Sequence, residues 1–413
     1  MGHAPFPLLV RVGAGAGVGA DGVHETTVPP SARRLDVQVT LHDHVVPLLD
    51  ALRRVHRAGG CGAWVRNTVD DAREARRLLV EECGLPAEDV LLFHARFAGC
   101  DRQRIEARVL ELFGKDSTPE MRRGKILIAS QVIEQSIDVD FDILSTDLAP
   151  MDLMIQRAGR CQRHGGRPRP AGYESARMLV FAPDPVEDAD ATWYAALFPL
   201  ARHVYPDVPT LWRTARLLRE QGGLHLPEQA RPLVEGAYAG KVPPGVEQAG
   251  VAAEAEAMSR RQMGAYNVLH FPFGYERTAT NNKWDADVRT PTRLGEPTVC
   301  VRLLRVEEGR VRLWADGEGD EDTAHVVGQP LTMARCLRSE VKVAAWRVAT
   351  AVYPPELEPA VQELAECMPD KGKWAVLLPL RPDGDGCWVG EVIGGDDRWR
   401  EARYTPEDGL FIS

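Results

Sequence analysis

The stretch Lys125–His164, KILIASQVIEQSIDVDFDILSTDLAPMDLMIQRAGRCQRH, decides the fold. Lys125 to Val132 is an apolar, β-branched run, the pattern of a strand buried on both faces of a parallel sheet. Phe141 to Thr146 is a second run of the same kind. An acid-and-amide turn, EQSIDVD, separates them. Pro150 follows Ala149 and fits the first position of a helix, where its missing N–H costs nothing. On that helix Gln156, Arg160 and Arg163 fall at i, i+4 and i+7, which predicts one shared face. Arg157 lies about 100° round the axis from Gln156.

Arginine keeps its charge and offers a planar fork of donors suited to phosphate. Two arginines and a glutamine one turn apart form a rigid polyphosphate clamp. A solvated basic helix face has the same spacing, so spacing alone leaves both readings open. The buried-looking strands and the acidic turn ahead of the helix favour the clamp.

QRAGRCQRH resembles motif VI of superfamily 2 helicases, Q-R-x-G-R-x-x-R, and SQVIEQSIDVDFD resembles their motif V. The wording EQS-I-D-V-D-F-D, then DLAP-M-D-L, then QRAGR-x-x-RH, is similar to that of the CRISPR-associated helicase–nucleases of type I systems. The resemblance is specific over Leu35 to about Pro185 and weaker beyond. It implies a second RecA-like helicase domain. By that resemblance, Arg160 and Arg163 would be arginine fingers for the γ-phosphate of ATP. Gln156 would orient the clamp, and Asp138 would hold the ribose or the water shell of Mg²⁺. Thr68, Arg96, Ser130 and Gln135 would grip the DNA backbone.

Upstream, Leu35 to Leu41 alternates apolar and polar residues and reads as a strand. Asp43 reads as the N-cap of the next helix, with Pro47 in its first turn and Val45, Leu48, Leu52 and Val55 as its buried stripe. His42-Asp43-His44 also resembles the His-Asp pair of metal-dependent phosphohydrolases, a weaker signal than the cap. Gly62 to Val65 is a short strand. Thr68 and Asp71 make a capping-box pattern that opens a helix from Val69 to Glu82. A capped helix start after a strand is also an anion site, and motif IV of the helicases falls here by resemblance. Val90 to Phe93 is the next strand. His94-Ala95-Arg96-Phe97 resembles the family's H-S-R-F, which implies a phosphate contact for Arg96. A helix from Asp101 to Phe113 should stop at Gly114, and Met178 to Ala182 is the last strand.

Strands alternating with helices predict a parallel sheet covered on both faces. Ligands of such sheets sit at the carboxyl ends of the strands. Asn67, Thr68, His94, Arg96, Ser130, Gln135 and Asp138 all fall there. Asp138, Asp140 and Asp142, spaced by two, are expected on one side of a strand. A solvent or interface face suits them better than a metal site.

The fold class is therefore α/β: a RecA-like parallel sheet with helices on both faces, then a helical linker and a small β-rich C-terminal domain. Residues 1–34 read as a flexible connector, because the glycines of GAGAGVGADG lack the lysine of a P-loop. Residues 35–185 are the RecA-like domain, 186–283 the helical linker and 284–413 the C-terminal accessory domain. In the linker Trp193, Tyr194, Phe198, Trp212 and Tyr266 suit a core better than base stacking. Beyond it Val299, Val301 and Leu303 alternate, Glu307-Glu308-Gly309 turns the chain, and Val311 and Leu313 return.

The chain of 413 residues has room for two or three domains. Hydrophobic residues at 44% and charged residues at 27% suit a globular protein rather than a disordered one. No apolar run reaches the ~18 residues that span a bilayer. The opening MGHAPFPLLVRVGAGAGVG lacks a secretory signal, so a cytoplasmic location is expected. Eight cysteines show no C-x-x-C spacing, which argues for reduced thiols over a zinc site. A formal charge of −10 excludes a protein that coats nucleic acid by bulk charge. Nucleic-acid contact must then be local, at the arginine-rich segments 96–108, 122–125 and 157–169, unless these are solvated surface.

The family's His-Asp nuclease domain, P-loop and DExH acids do not occur in these residues: there is no G-K-[ST] and no D-E-x-H. An arginine finger is worth ~10³–10⁵ in rate, but only on a nucleotide held by a P-loop and Mg²⁺. The expectation is the C-terminal half of a CRISPR-associated, ATP-dependent DNA helicase or translocase of antiviral defence, inactive alone. ATP and Mg²⁺ would be held mainly by a P-loop-containing half. Single-stranded DNA and the CRISPR surveillance complex would be its other partners, and no membrane. Two other readings stay open: a non-catalytic module that binds single-stranded DNA or the CRISPR complex, and the remnant of a disrupted helicase gene. A neighbouring reading frame for a P-loop half would separate them.

Overall fold

The computed structural model describes residues 8–12, 23–27, 34–134, 137–267, 297–317 and 331–413. Strands β1 (Leu8–Val12) and β2 (Val23–Thr27) pair antiparallel, with Leu8 opposite Thr27. The segment expected to be only a connector therefore carries a two-stranded sheet. Its apolar and β-branched runs flank the glycine-rich stretch and find each other.

The main sheet is built from β3 (Leu35–His42), β4 (Gly62–Val65), β5 (Val90–Phe93), β6 (Ile126–Ala129), β7 (Ile143–Asp147), β8 (Ala176–Phe181) and β9 (Gly223–Leu226). Its seven strands run in the order β5-β6-β4-β7-β8-β3-β9. All neighbours are parallel except β9, which pairs antiparallel with β3. Every residue of β4, β6 and β7 is buried, as strands covered on both faces require. The helices are α1 (Val46–Arg57), α2 (Val69–Arg77), α3 (Gly99–Phe113), α4 (Pro119–Arg122), α5 (Met151–Ala158), α6 (Trp193–Leu197), α7 (Val208–Gln221), α8 (Ala230–Tyr238) and α9 (Pro244–Asn267). Trp193, Tyr194, Phe198 and Trp212 are buried in the same core as the sheet. The side chain of Tyr266 lies outside the described residues.

Several element boundaries differ from the sequence reading. The strand expected to run to Val132 ends at Ala129, and a 3₁₀ turn takes Gln131–Glu134. Asp43 does not cap α1: its carboxylate meets His44 Nδ1 at 2.7 Å, and Val45 occupies the cap without a side-chain bond. Pro150 stands just before α5 rather than inside it. The expected helical linker also contributes β9, because Leu224 and Leu226 bury against the exposed edge of β3.

The C-terminal region forms a second sheet. Its strands are β10 (Thr298–Glu307), β11 (Arg310–Leu313), β12 (Glu340–Ala344), β13 (Thr350–Val352), β14 (Val376–Pro382), β15 (Trp388–Ile393), β16 (Trp399–Thr405) and β17 (Gly409–Ile412). Helices α10 (Met333–Arg338) and α11 (Glu358–Glu366) accompany it. The path β11-β10-β14-β15-β16-β17 is extended by β12 on β10 and β13 on β15. Glu308 at φ 50° and Gly309 at φ 76° make the expected turn between β10 and β11.

The two sheets meet through buried polar bonds. Asp101, 1% exposed at the start of α3, accepts from Trp314 Nε1 at 2.7 Å and from the Tyr404 hydroxyl. The same hydroxyl accepts from the Ala98 N–H at 2.9 Å. Asp70, at the start of α2, is held by Arg96 from its own domain and by Arg347 from the second sheet, each at 2.5 Å. Gly409 has φ +66°, and a Cβ there would lie 2.5 Å from the Arg96 carbonyl oxygen. Only glycine permits so close a crossing.

Arg157 ties the carboxyl ends of the main strands together. It is 1% exposed. Its Nε donates to Glu134 Oε1 at 2.7 Å, and its Nη1 to Thr146 Oγ1 at 2.8 Å and the Asp147 carbonyl at 2.9 Å. Its Nη2 donates to Asn67 Oδ1 at 3.1 Å and the Tyr205 hydroxyl at 3.4 Å. Asp147 in turn accepts from Arg66 Nε and the Asn67 N–H. A buried guanidinium is tolerable only when its five donors are filled.

Two substitutions test this architecture. Arg157→Ala should lower the unfolding free energy by about 3–5 kcal/mol in urea titration, because Glu134 loses its buried partner. Arg163→Ala should cost less than ~1 kcal/mol, its ion pair being half-exposed. Equal effects would contradict the assignment of Arg157 as the structural arginine. Tyr404→Phe should cost about 1–3 kcal/mol by leaving Asp101 and the Ala98 N–H short of a partner. An unchanged midpoint would mean that the two sheets do not depend on this bond.

Candidate functional site

The turn after α5 carries the two arginines that the sequence analysis placed on its helical face. The helix stops at Ala158, with Gly159 as its cap. Phe141 and Cys161 then form a β-bridge, with Phe141 N–H on the Arg160 carbonyl at 3.1 Å and Gln162 N–H on the Phe141 carbonyl at 2.9 Å. Gln162 takes a left-handed φ of 49°. The expected i, i+4, i+7 face is therefore wrong beyond Ala158: bridging to Phe141 pulls the chain out of the helix. A turn, not a helix, presents Arg160 and Arg163.

That turn is fixed by buried acids. Asp140 is fully buried and accepts from the Arg163 N–H at 2.8 Å, while Arg169 Nη2 and Arg167 Nη1 lie at 2.7 and 3.0 Å. Asp142, 3% exposed, takes Arg169 Nη1 at 2.8 Å and the Cys61 N–H at 2.7 Å. The expected solvent or interface face of these acids is thus corrected. They are buried counter-ions of a downstream loop. The signal was present as matched spacing: Asp140 and Asp142, Arg167 and Arg169, each two apart.

A cleft of about 350 Å³ opens where the turn meets the end of the motif V-like stretch. Ile137, Asp138, Gln156, Gly159, Arg160 and Arg163 line it. It thus gathers the four residues expected around ATP. Arg163 Nε meets Asp138 Oδ1 at 2.5 Å, and Arg160 Nη2 donates to the Glu134 carbonyl at 3.3 Å. Arg160 Nε is buried and makes no hydrogen bond among the described residues. Burial, and then the charge of Arg163, make Arg160 a weaker base than usual, against Asp138 and Glu134. Burial pushes the Asp138 carboxyl up, but the Arg163 bond and the charges of His164, Arg163 and Arg160 outweigh it and hold it below the usual range. Asp138 is the only carboxylate among the described residues lining the cleft. No group of three or more His, Cys, Asp or Glu side chains converges as a metal site among the described residues.

The residues expected to grip DNA do not share one surface. Thr68 is half-buried and caps α2: its Oγ1 accepts from the Asp71 N–H at 3.0 Å and donates to Asp71 Oδ2 at 2.6 Å. Arg96 turns inward onto Asp70, at the junction with the second sheet, so its guanidinium is already engaged. Ser130 is 2% exposed, with its N–H on the Phe93 carbonyl at 3.0 Å. As placed here, Arg96 is ion-paired and Ser130 is buried, so neither presents a free group at the surface. Gln135 lies outside the described residues. His94 packs instead of reaching out: it stacks on Phe97 at 4.3 Å, and burial pushes its imidazole down to about 3, so it is neutral. Arg347, 277 residues from its partner Asp70, gave no signal in the sequence.

Comparison with known proteins gives matches in both sequence and fold. A family model described as the C-terminal region of CRISPR-associated nuclease/helicase Cas3 matches residues 58–166. The CRISPR-associated endonuclease/helicase Cas3 of Thermus thermophilus is 31% identical over 98% of this chain and 47% of its own length. Its counterpart from Escherichia coli is 36% identical over 52% of this chain and 23% of its own length. The crystal structure of T. fusca Cas3 superposes with a TM-score of 0.73 at 27% identity, over 99% of this chain and 46% of that one. A chain of a structure described as a CRISPR RNA-guided surveillance complex, pre-nicking, superposes with a TM-score of 0.69 at 25% identity, over 99% of this chain and 48% of that one. The chain spans about half or less of the relatives that it matches. Similarity in both sequence and fold, extending through the second sheet, leads to one statement: the chain is similar along nearly its whole length to part of the CRISPR-associated nuclease/helicase Cas3, and over residues 58–166 to the C-terminal region of that family.

Proposed function

We propose that this chain is the second half of an ATP-dependent DNA helicase or translocase of CRISPR-based defence, working in the cytoplasm. It completes an ATP site whose P-loop belongs to another half. One observation carries the reading: Asp138, Gln156, Arg160 and Arg163 line one open cleft, and Arg160 Nε has no hydrogen-bond partner among the described residues. The donor set fits a triphosphate, with two guanidinium groups, an amide and a single carboxylate.

Bound MgATP supplies the anhydride to be cleaved. Arg160 lines the cleft, and its guanidinium would donate to charge that develops on the γ-phosphate. Arg163 is stored on Asp138 in a half-exposed ion pair. Such pairs are worth only ~0–1 kcal/mol, so a phosphate oxygen can replace the carboxylate. Asp138, once released, is free to accept from the ribose or from water on Mg²⁺. Gln156 is exposed at the cleft wall and orients the same group. The P-loop half holds most of the nucleotide and the metal.

Single-stranded DNA is the substrate track in this reading. Thr68 at the start of α2 and Gln135 remain its backbone contacts. Arg96 joins them only if Asp70 lets it go. The match to a chain of a surveillance-complex structure supports that complex as a further partner.

The test is ATP turnover with single-stranded DNA, measured for the chain alone and mixed with the P-loop half of a relative. The mixture should turn over ATP, and Arg160→Ala should lower the rate by ~10³-fold or more. The chain alone should be near background. Robust turnover by the chain alone, lost in Arg160→Ala, would contradict the half-site reading. A mixture indifferent to both Arg160→Ala and Arg163→Ala would contradict the fingers.

A further inference from the structure

A second pocket, of about 560 Å³, opens beside the arginine cleft and shares Arg163 with it. Lys115, Ser117, Arg122, Arg163, His164 and Arg167 contribute its polar lining, which holds no carboxylate. The pocket has a built wall. Arg167 Nη2 donates to the Gly114 carbonyl at 2.7 Å and to Ser117 Oγ at 3.3 Å, and its Nη1 lies 3.0 Å from Asp140. The loop after α3 is thereby fastened to the loop after the arginine turn.

Arg122 is the feature that structure alone does not account for. It is 4% exposed, and its Nη1 donates to the carbonyl and hydroxyl of Ser117. Arg66, Arg157, Arg302 and Arg400 are comparably buried, and each meets a carboxylate: Asp147, Glu134, Asp370 and Asp396. Arg122 meets none among the described residues. Burial, and then the charge of Arg167, make it a weaker base than usual, and Cys61 and Asp142 offset this only in part. A buried cation without a counter-ion is unfavourable. Lys115, exposed on the rim, adds a second positive charge, with no ion pair among the described residues.

An anion with several acceptor oxygens removes that cost. A phosphate ester has the charge and the acceptors, and the pocket falls in the ~300–1,000 Å³ range of small-ligand sites. We propose that this pocket is a phosphate-ester binding site, in which Arg122 and Lys115 neutralise the ligand and Ser117 and Arg163 complete its hydrogen bonds. The source of the phosphate is either a free nucleotide or polyphosphate, or a nucleic-acid backbone. The inference rests on local charge and needs no ATP turnover.

Calorimetric titration of the full chain tests it, with pyrophosphate, ATP and a short single-stranded oligonucleotide as probes. Arg122→Gln should weaken binding by about tenfold, the loss of one charge-assisted contact. Lys115→Glu, on the exposed rim where folding is not at risk, should weaken it severalfold. Binding of pyrophosphate and ATP points to a free polyphosphate, and binding of the oligonucleotide alone to a backbone phosphate. Both support the site. Arg160→Ala, which alters only the neighbouring cleft, should leave pyrophosphate binding in place even if the helicase mixture never turns over. The proposal is overturned if none of the probes binds, or if Arg122→Gln and Lys115→Glu both leave affinity unchanged. It is equally overturned if Arg160→Ala alone abolishes binding.

Discussion

The carboxylate of Asp140 decides where the arginines of the cleft go. It is fully buried, and it is surrounded by Arg167, Arg169 and the N–H of Arg163. Two of these contacts carry full charge, and the third is the backbone of the residue that must be placed. Breaking a buried pair of this kind costs about 3–5 kcal/mol, since the partner is left charged and dry. The turn after α5 therefore cannot drift without exposing or orphaning Asp140. Arg163 inherits its position from that constraint, and Arg160 from the bridge to Phe141 one step earlier.

Three arginines follow one another closely here, and burial sorts them. Arg157 spends all its donors inside the protein, on groups from β7, the motif V-like turn and the end of β4. It stabilises the rim and is lost to any ligand. Arg160 is half-buried, and its Nε has no hydrogen-bond partner among the described residues. Arg163 is held by the half-exposed carboxylate of Asp138 and, more loosely, by the Gly159 carbonyl. The same chemical group thus serves as a fastener, a donor and a stored charge, according to how much water reaches it. The first fastens the rim of the sheet, and the other two are the ones proposed to meet a ligand.

The strands of the main sheet are legible in the sequence because short, largely apolar runs such as Ile126–Ala129, or an alternating one at Leu35–His42, stand between turn and cap signals. Thr68 and Asp71 are legible for a similar reason, since capping is a local interaction across three residues. The end of α5 is not: nothing between Ala158 and Arg163 forbids a helix, and the bridge that ends it comes from Phe141. The surroundings of Arg96 and Ser130 are not legible locally because they come from elsewhere in the chain. Arg96 faces Asp70, which is shared with Arg347, far away in the sequence. The cleft itself is half legible. Its residue types follow from the motif resemblance, but their common location depends on Asp140, Arg167 and Arg169, a pairing visible only as matched spacing. The second sheet shows its alternation, while its junction through Asp101, Trp314 and Tyr404 leaves no local trace.

The central claim is that Arg160 and Arg163 reach a triphosphate held by another polypeptide segment. A structure of this chain assembled with a P-loop half, ADP, Mg²⁺ and a metal-fluoride mimic of the γ-phosphate measures it directly. The account predicts Arg160 within hydrogen-bond distance of the fluoride group, and Arg163 moved from Asp138 onto it, at about 2.7–3.1 Å. Both guanidinium groups pointing away from the nucleotide, with the Arg163–Asp138 pair intact, would contradict it.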